Sequence, residues 1–148
     1  MRKFLTSVLL LLLFALPAMA GDDLEAFLHD VNIQAQADMH GFSTKVSAQF
    51  GVPEAQVEIV LGNVHEPADA FMVFQLGQMT NQHPDRVMQV YQSQKGRGWG
   101  VIAKELGIKP GSAQFHALKR GDLRFGAEQG NHQNSGKGKG KDKGKHKK

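Results

Sequence analysis

Prolines divide the middle of the chain into segments whose apolar residues recur at helical spacing. Pro53, Pro67 and Pro84 are each followed within two residues by an acidic side chain. Proline is tolerated in the first turn of a helix but not in its interior, and the helix dipole favours acidic side chains in that first turn. The three prolines therefore predict three helix starts.

The apolar residues of these segments predict which helix lies at the centre. The helix that Pro67 opens is apolar on nearly every side, so we expect it to occupy the middle of the core. The helix that Pro84 opens would turn Val87, Val90 and Tyr91 inward. The helix after Pro53 has one apolar face, made of Val57, Val60, Leu61 and Val64.

Two further short helices follow in the sequence. The first is predicted over residues 99–106, where Gly107 would end it as a left-handed cap. Ser112 is predicted to cap the second, whose Phe115 and Leu118 would face inward. Residues 53–120 thus predict a small bundle of about five short helices.

Residues 22–52 fit two different structures. Apolar residues recur at helical spacing, but the stretch 31–50 also alternates between apolar and polar residues, as a β-hairpin would. Alanine and glutamine dominate its first half and favour a helix. We therefore expect a mainly α fold, with an N-terminal β-hairpin as the alternative.

The first twenty residues have the pattern of a cleavable secretory signal. Arg2 and Lys3 precede an apolar run over residues 8–16, and Pro17 breaks that run. Residues 18–20 then supply the small-residue pattern of a signal peptidase site. The run is too short for a membrane span, which needs about 20 apolar residues. Cleavage and export are therefore predicted, to the periplasm or alternatively to the extracellular medium.

These features predict three parts: a signal peptide over residues 1–20, a helical domain over residues 21–126 and a disordered tail over residues 127–148. No segment after the signal is apolar enough to span a bilayer, so we expect no membrane-spanning segment after cleavage. The chain has no cysteine, which excludes disulfides, thiolate metal sites and cysteine nucleophiles.

The C-terminal tail is strongly cationic, whereas the predicted domain is mildly acidic. Residues 131–148 carry seven lysines against one aspartate, and residues 21–130 carry nine lysines and arginines against thirteen acidic residues. Glycine alternates with these like charges, so the tail has nothing to bury and is predicted to be disordered. Such a tail predicts contact with anionic envelope polymers or lipid headgroups, and the alternative is a solubilising role. The candidate contact residues are Lys137, Lys139, Lys141, Lys143, Lys145, Lys147 and Lys148.

The most distinctive stretch covers residues 95–104, where three glycines alternate around Arg97 and Trp99 just before a helix. Glycines allow a ligand to approach the backbone, and a helix start offers free N–H groups. This predicts a site for a small anionic or ring-bearing ligand, with Lys95, Arg97 and Lys104 as cations and Trp99 stacking on a ring. The alternative is that the glycines form an inter-helix turn and Trp99 closes the core.

Residues 102–118 have the layout of a helix-turn-helix, but their second helix offers few base or phosphate contacts. Export also makes sequence-specific DNA an unfavourable partner, so we interpret the layout as a packing motif.

Residues 91–120 resemble a family of exported bacterial proteins that share the signature KGxGWGxIAKxLGIKPGSxxFHALK. The resemblance implies a bacterial source and a stand-alone exported domain, and it brings no activity, cofactor or partner.

Signals for catalysis and metal binding are absent from the sequence. The seven histidines are scattered, with no His-Glu-x-x-His motif and no pair at i, i+4. No Gly-x-Ser-x-Gly motif occurs. We therefore predict no catalytic residue, cofactor or metal ligand, and expect a non-enzymatic envelope or interaction protein. The less favoured alternatives are a small-ligand sensory module, a metal-binding protein and a nucleic-acid binder.

Overall fold

The computed structural model describes residues 23–126, so the predicted signal and the lysines of the predicted tail lie outside the described residues. Within that range the chain forms helices and no strand, which confirms the mainly α fold. The helices α3 to α7 lie where the prolines and glycine caps predict them. In chain order the helices are α1 (Asp23–Ala37), α2 (Met39–Phe50), α3 (Glu54–Leu61), α4 (Pro67–Thr80), α5 (Pro84–Ser93), α6 (Trp99–Glu105) and α7 (Ala113–Lys119).

The ambiguous N-terminal segment forms α1 and α2, separated only at Asp38. The Asp38 side chain caps α2 by accepting a hydrogen bond from the Gly41 N–H at 2.8 Å. Helical periodicity then selects which apolar residues are buried. Ile33 and Met39, which a strand would have turned inward with their neighbours, are 52% and 45% exposed. The buried face of α1 consists of Leu24, Leu28, Val31, Asn32 and Ala35.

Helix α4 lies at the centre of the domain, as its all-round apolar composition predicts. It contacts α1, α2, α3 and α5. Phe71 is fully buried, and its ring lies 5.5–5.7 Å from the rings of Phe27, Phe50 and Phe125. Aromatic rings at this separation contribute packing energy beyond the area they bury. The chain segments before and after α4 are therefore held around one aromatic cluster.

Helix α3 ends earlier than its apolar face suggests. The predicted face extends to Val64, but the helix stops at Leu61 and Gly62 follows as its cap. The Asn63 side chain donates a hydrogen bond to the Ile59 carbonyl at 2.7 Å, which satisfies one of the free carbonyls at this helix end. Val64 is still half-buried against the core, but from the connection to α4 and not from a helix.

Helices α6 and α7 have the predicted caps. Gly107 has a φ of +99°, and the Ile108 N–H returns to the Ala103 carbonyl at 2.9 Å. The Ser112 hydroxyl accepts a hydrogen bond from the Phe115 N–H at 3.1 Å. Helix α7 packs against both α6 and α1 and so closes the domain.

The end of α7 lies directly against the start of α1. Gly121 follows α7 with a φ of +62°, and a Cβ atom placed on it would lie 2.6 Å from the Asp23 carbonyl oxygen. Gly96 also has a positive φ, +80°, but a Cβ atom there would meet nothing within 4 Å. The two glycines therefore share the same backbone requirement and differ in how close a neighbour is.

This difference predicts unequal costs for the same substitution. Gly96→Ala should lower the free energy of unfolding by about 1–2 kcal/mol, the strain of a left-handed alanine. Gly121→Ala should cost a further 1–3 kcal/mol or so, because the backbone of α1 must shift. Urea denaturation followed by circular dichroism measures both, and equal losses would show that α7 does not dock on α1 this closely.

Candidate ligand-binding cleft

A cleft of about 560 Å³ opens between α1, the segment that leads into α4, the end of α5 and the start of α6. Its polar walls come from separate parts of the chain. Helix α1 contributes Glu25, His29, Asn32 and Gln36, the entry to α4 contributes His65, Glu66 and Asp69, and the region from α5 to α6 contributes Tyr91, Lys95 and Trp99.

The Asp69 carboxylate is the polar centre of this cleft. It accepts a hydrogen bond from the Tyr91 hydroxyl at 2.9 Å and another from the Trp99 indole N–H at 3.1 Å. It also accepts from the Glu66 backbone N–H at 3.2 Å, at the start of α4. Hydrogen bonds to an ionised acceptor are stronger than those between neutral groups. One side chain thus ties the starts of α4 and α6 to α5.

Trp99 is part of the core and not an open stacking platform. Its side chain is 6% exposed, and its ring stacks on that of Tyr91 at 5.3 Å. The Tyr91 hydroxyl and the Trp99 indole N–H both donate hydrogen bonds to Asp69. The structure therefore agrees with the second interpretation of Trp99, in which the side chain packs at the end of the core. Only a small part of its surface lines the cleft.

A second polar pair joins α1 to the start of α4 at the cleft. The buried Asn32 side chain accepts a hydrogen bond from the Ala68 N–H at 2.8 Å. Its amide nitrogen donates to the Glu66 carboxylate at 2.5 Å. Asn32 thus satisfies a free N–H in the first turn of α4 and holds Glu66 at the cleft. Neither residue was predicted from the sequence, although a polar residue within the apolar face of α1 was a usable signal.

The environment of Tyr91 disfavours its ionised form. Burial raises the pKa of the Tyr91 hydroxyl, and its hydrogen bond to Asp69 raises the pKa further. The His65 N–H, which donates to the same hydroxyl at 3.2 Å, acts in the opposite direction. The raising effects prevail, so Tyr91 keeps its proton and remains a donor to Asp69 well into alkaline solution.

Carboxylates outnumber cations in the cleft. Glu25, Glu66 and Asp69 face it, and among the described residues Lys95 is its only lysine or arginine. Within residues 23–126 the ion pairs lie elsewhere, between His83 and Asp85 and between Arg120 and Asp122, and the three cleft carboxylates have none. The cleft therefore has an acidic lining.

The structure separates the four residues that the sequence grouped into one candidate site. Lys95 and Trp99 line the cleft, together with Gly96 and Gly98. Arg97 is exposed and donates to the Gln94 side-chain oxygen at 3.1 Å. Lys104 is exposed on α6, outside the cleft. Of the three predicted cations, Lys95 is the one that lines this cleft.

No group of three or more histidine, aspartate or glutamate side chains in the described range is arranged to hold a metal ion. None of the helices between residues 23 and 126 has the length and hydrophobicity needed to cross a membrane. Comparisons with protein-family models, curated proteins and solved structures gave no match for this chain. The geometry of the cleft is therefore the basis for a functional proposal.

The Tyr91 environment predicts a pH dependence that is simple to measure, because the chain has a single tyrosine. Tyrosinate absorbance should titrate above the ordinary value of about 10, and Asp69→Asn should lower the midpoint. A raised pKa in the folded state stabilises the fold fully below about pH 10, and this contribution is lost as the pH rises through the folded-state value. Urea melts should show that loss in the wild type but not in Tyr91→Phe. A wild-type midpoint at or below 10 would contradict the hydrogen-bonded geometry.

Proposed function

We propose that this chain is a non-enzymatic, exported binding protein that takes a small polar ligand in the cleft around Asp69. The observation that supports this is preorganisation: hydrogen bonds within the domain hold Asp69, Glu66 and Asn32 in place. A ligand that meets fixed polar groups does not have to order them, which lowers the free-energy cost of binding. The cleft volume also lies within the usual range for small-molecule sites, roughly 300–1,000 Å³.

The lining favours an amine-bearing ligand over an anionic one. An anion beside Trp99 would meet Lys95 but also the carboxylates of Glu25, Glu66 and Asp69. Like charges at short range cost binding energy, whereas an ammonium group can donate several hydrogen bonds to carboxylates. The amides of Asn32 and Gln36 can bind hydroxyl groups on the same ligand. We therefore propose a polar amine, and not the anion that the Gly-Trp segment alone suggests.

Trp99 provides the test, because it is the chain's only tryptophan and hydrogen bonds to Asp69 at the cleft. Four probes are titrated: spermidine, glucosamine, glucose and citrate. We expect at least one of the two amines, spermidine or glucosamine, to change the fluorescence emission of Trp99 in a saturable way. Glu25→Gln with Glu66→Gln should weaken that binding about tenfold, a loss of about 1.4 kcal/mol of charge-assisted hydrogen bonding. The matched control is Glu58→Gln with Glu105→Gln, two exposed glutamates outside the cleft.

The same titration distinguishes a wrong assignment of the ligand's charge from a wrong assignment of the cleft as a binding site. Saturable binding of citrate but not of the amines would reject the charge assignment and keep the cleft as a ligand site. If none of the four probes alters Trp99 emission or the thermal midpoint of unfolding, the cleft is not a site for ligands of these classes. In that case the small-ligand function is rejected.

A second candidate function is contact with anionic envelope polymers or lipid headgroups through the C-terminal lysines. Seven lysines against one aspartate within residues 131–148, spaced largely by glycine, support it. Such a segment attracts polyanions through charge alone, so its binding depends strongly on salt.

Replacement of all seven of these lysines by glutamine in the mature chain should reduce retention on a heparin column. The elution salt concentration should fall, because released counterions drive this kind of association. Unchanged retention, or wild-type retention that salt does not affect, would count against the tail function.

A further inference from the structure

Charge is segregated along the described sequence. Residues 23–94 carry nine carboxylates against two cations, Lys45 and Arg86. Residues 95–124 carry seven lysines and arginines against two carboxylates, Glu105 and Asp122. The described sequence therefore has an acidic stretch that supplies most of the cleft lining and a cationic stretch that includes α6 and α7, with the acidic start of α1 packed against the end of α7.

The cations of α6 and α7 are brought together by the packing of the two helices. A Cβ atom placed on Gly100 would lie 4.0 Å from the Cδ atom of Lys119, so the Lys119 stem lies against the first turn of α6. Lys104 follows Gly100 by four positions, which places it on the same face of α6, one turn further along. Lys104 and Lys119 thus belong to one face of the paired helices.

The turn between the helices adds Lys109, which is exposed, as Lys104 is. Within residues 23–126 no carboxylate forms an ion pair with either side chain. Arg120 at the end of α7 is paired with Asp122 at 2.7 Å. We call the segment 99–120, with Lys104, Lys109, Lys119 and Arg120, the cationic unit.

We propose that the cationic unit is a docking surface for a linear acidic polysaccharide, separate from both the cleft and the C-terminal tail. Lys104 and Lys109, which are exposed and form no ion pair with a carboxylate of residues 23–126, act as flexible point charges that suit a polymer with regularly spaced carboxylate or sulfate groups. The predicted export would place the protein among such polymers.

Two other polyanions fit less well. The large exposed apolar side chains of the described domain are Ile33, Met39 and Ile59, all on α1 to α3, so the cationic unit has no large apolar anchor for a membrane. Ala113 and Gln114, at the start of α7, offer no cation for a major groove and no aromatic ring for base stacking. An acidic polysaccharide needs neither feature.

The test measures binding of the mature chain to heparin and to alginate as sulfated and carboxylated polysaccharide probes. The double variant Lys104→Gln with Lys109→Gln should weaken binding by about fivefold for each lysine. The slope of log K against the logarithm of the salt concentration should become shallower by about two. The matched control, Lys45→Gln with Arg86→Gln, removes the same charge from the acidic stretch and should change binding less than twofold or so. Unaltered Trp99 emission verifies that each variant is folded.

A third variant, with the seven tail lysines replaced by glutamine, separates this surface from the tail. It should keep measurable, salt-dependent polysaccharide binding that Lys104→Gln with Lys109→Gln then removes. The inference is overturned if the tail variant binds neither polymer, or if both double variants weaken binding equally. Tighter binding of duplex DNA or of phosphatidylglycerol vesicles at the same salt concentration would also overturn it.

Discussion

The arrangement of α4, α5 and α6 depends on one carboxylate. Asp69 accepts hydrogen bonds from the start of its own helix, from Tyr91 on α5 and from Trp99 on α6. Both aromatic side chains are largely buried, and Asp69 is the acceptor that fixes the direction of the Tyr91 O–H and the Trp99 N–H. A buried donor left without a partner costs about 1–3 kcal/mol, so these hydrogen bonds favour this one arrangement. The same carboxylate lines the cleft, so the fold and the candidate site share one set of hydrogen bonds.

Most of the fold follows from local signals in the sequence. Pro67 and Pro84 open their helices at the first position, and Ser112 and Gly107 form the caps that their residue types predict. These positions are predictable because each constraint acts on the residue's own backbone. The segment over residues 31–50 was ambiguous because its apolar residues satisfy both periods. Tertiary packing resolved it, since only a helix can bury Val31 and Ala35 against α4 while it leaves Ile33 in solvent.

The cleft was much less predictable, because its polar residues are linked across the chain. Trp99 and Tyr91 reach Asp69 over 30 and 22 positions, and Asn32 reaches Ala68 over 36. A sequence pattern can mark a polar residue within an apolar face, but it cannot identify the hydrogen-bond partner that compensates for its burial. Trp99 illustrates the limit: the flanking glycines suit both an open platform and a tight turn. The hydrogen bond to Asp69 and the stacking on Tyr91 hold the Trp99 side chain in the core.

The two proposed surfaces have opposite charge, and this separation makes them compatible in one small domain. Lys95 lies at the boundary, since it lines the cleft and begins the cationic third of the described chain. A polyanion that approached the cleft beyond Lys95 would meet Glu25, Glu66 and Asp69, and like-charge contacts at an interface are costly. An amine that approached α6 and α7 would meet Lys104 and Lys109 instead. On the two proposals taken together, each surface would repel the ligand of the other, and charge would direct an amine to the cleft and an acidic polymer to the cationic unit.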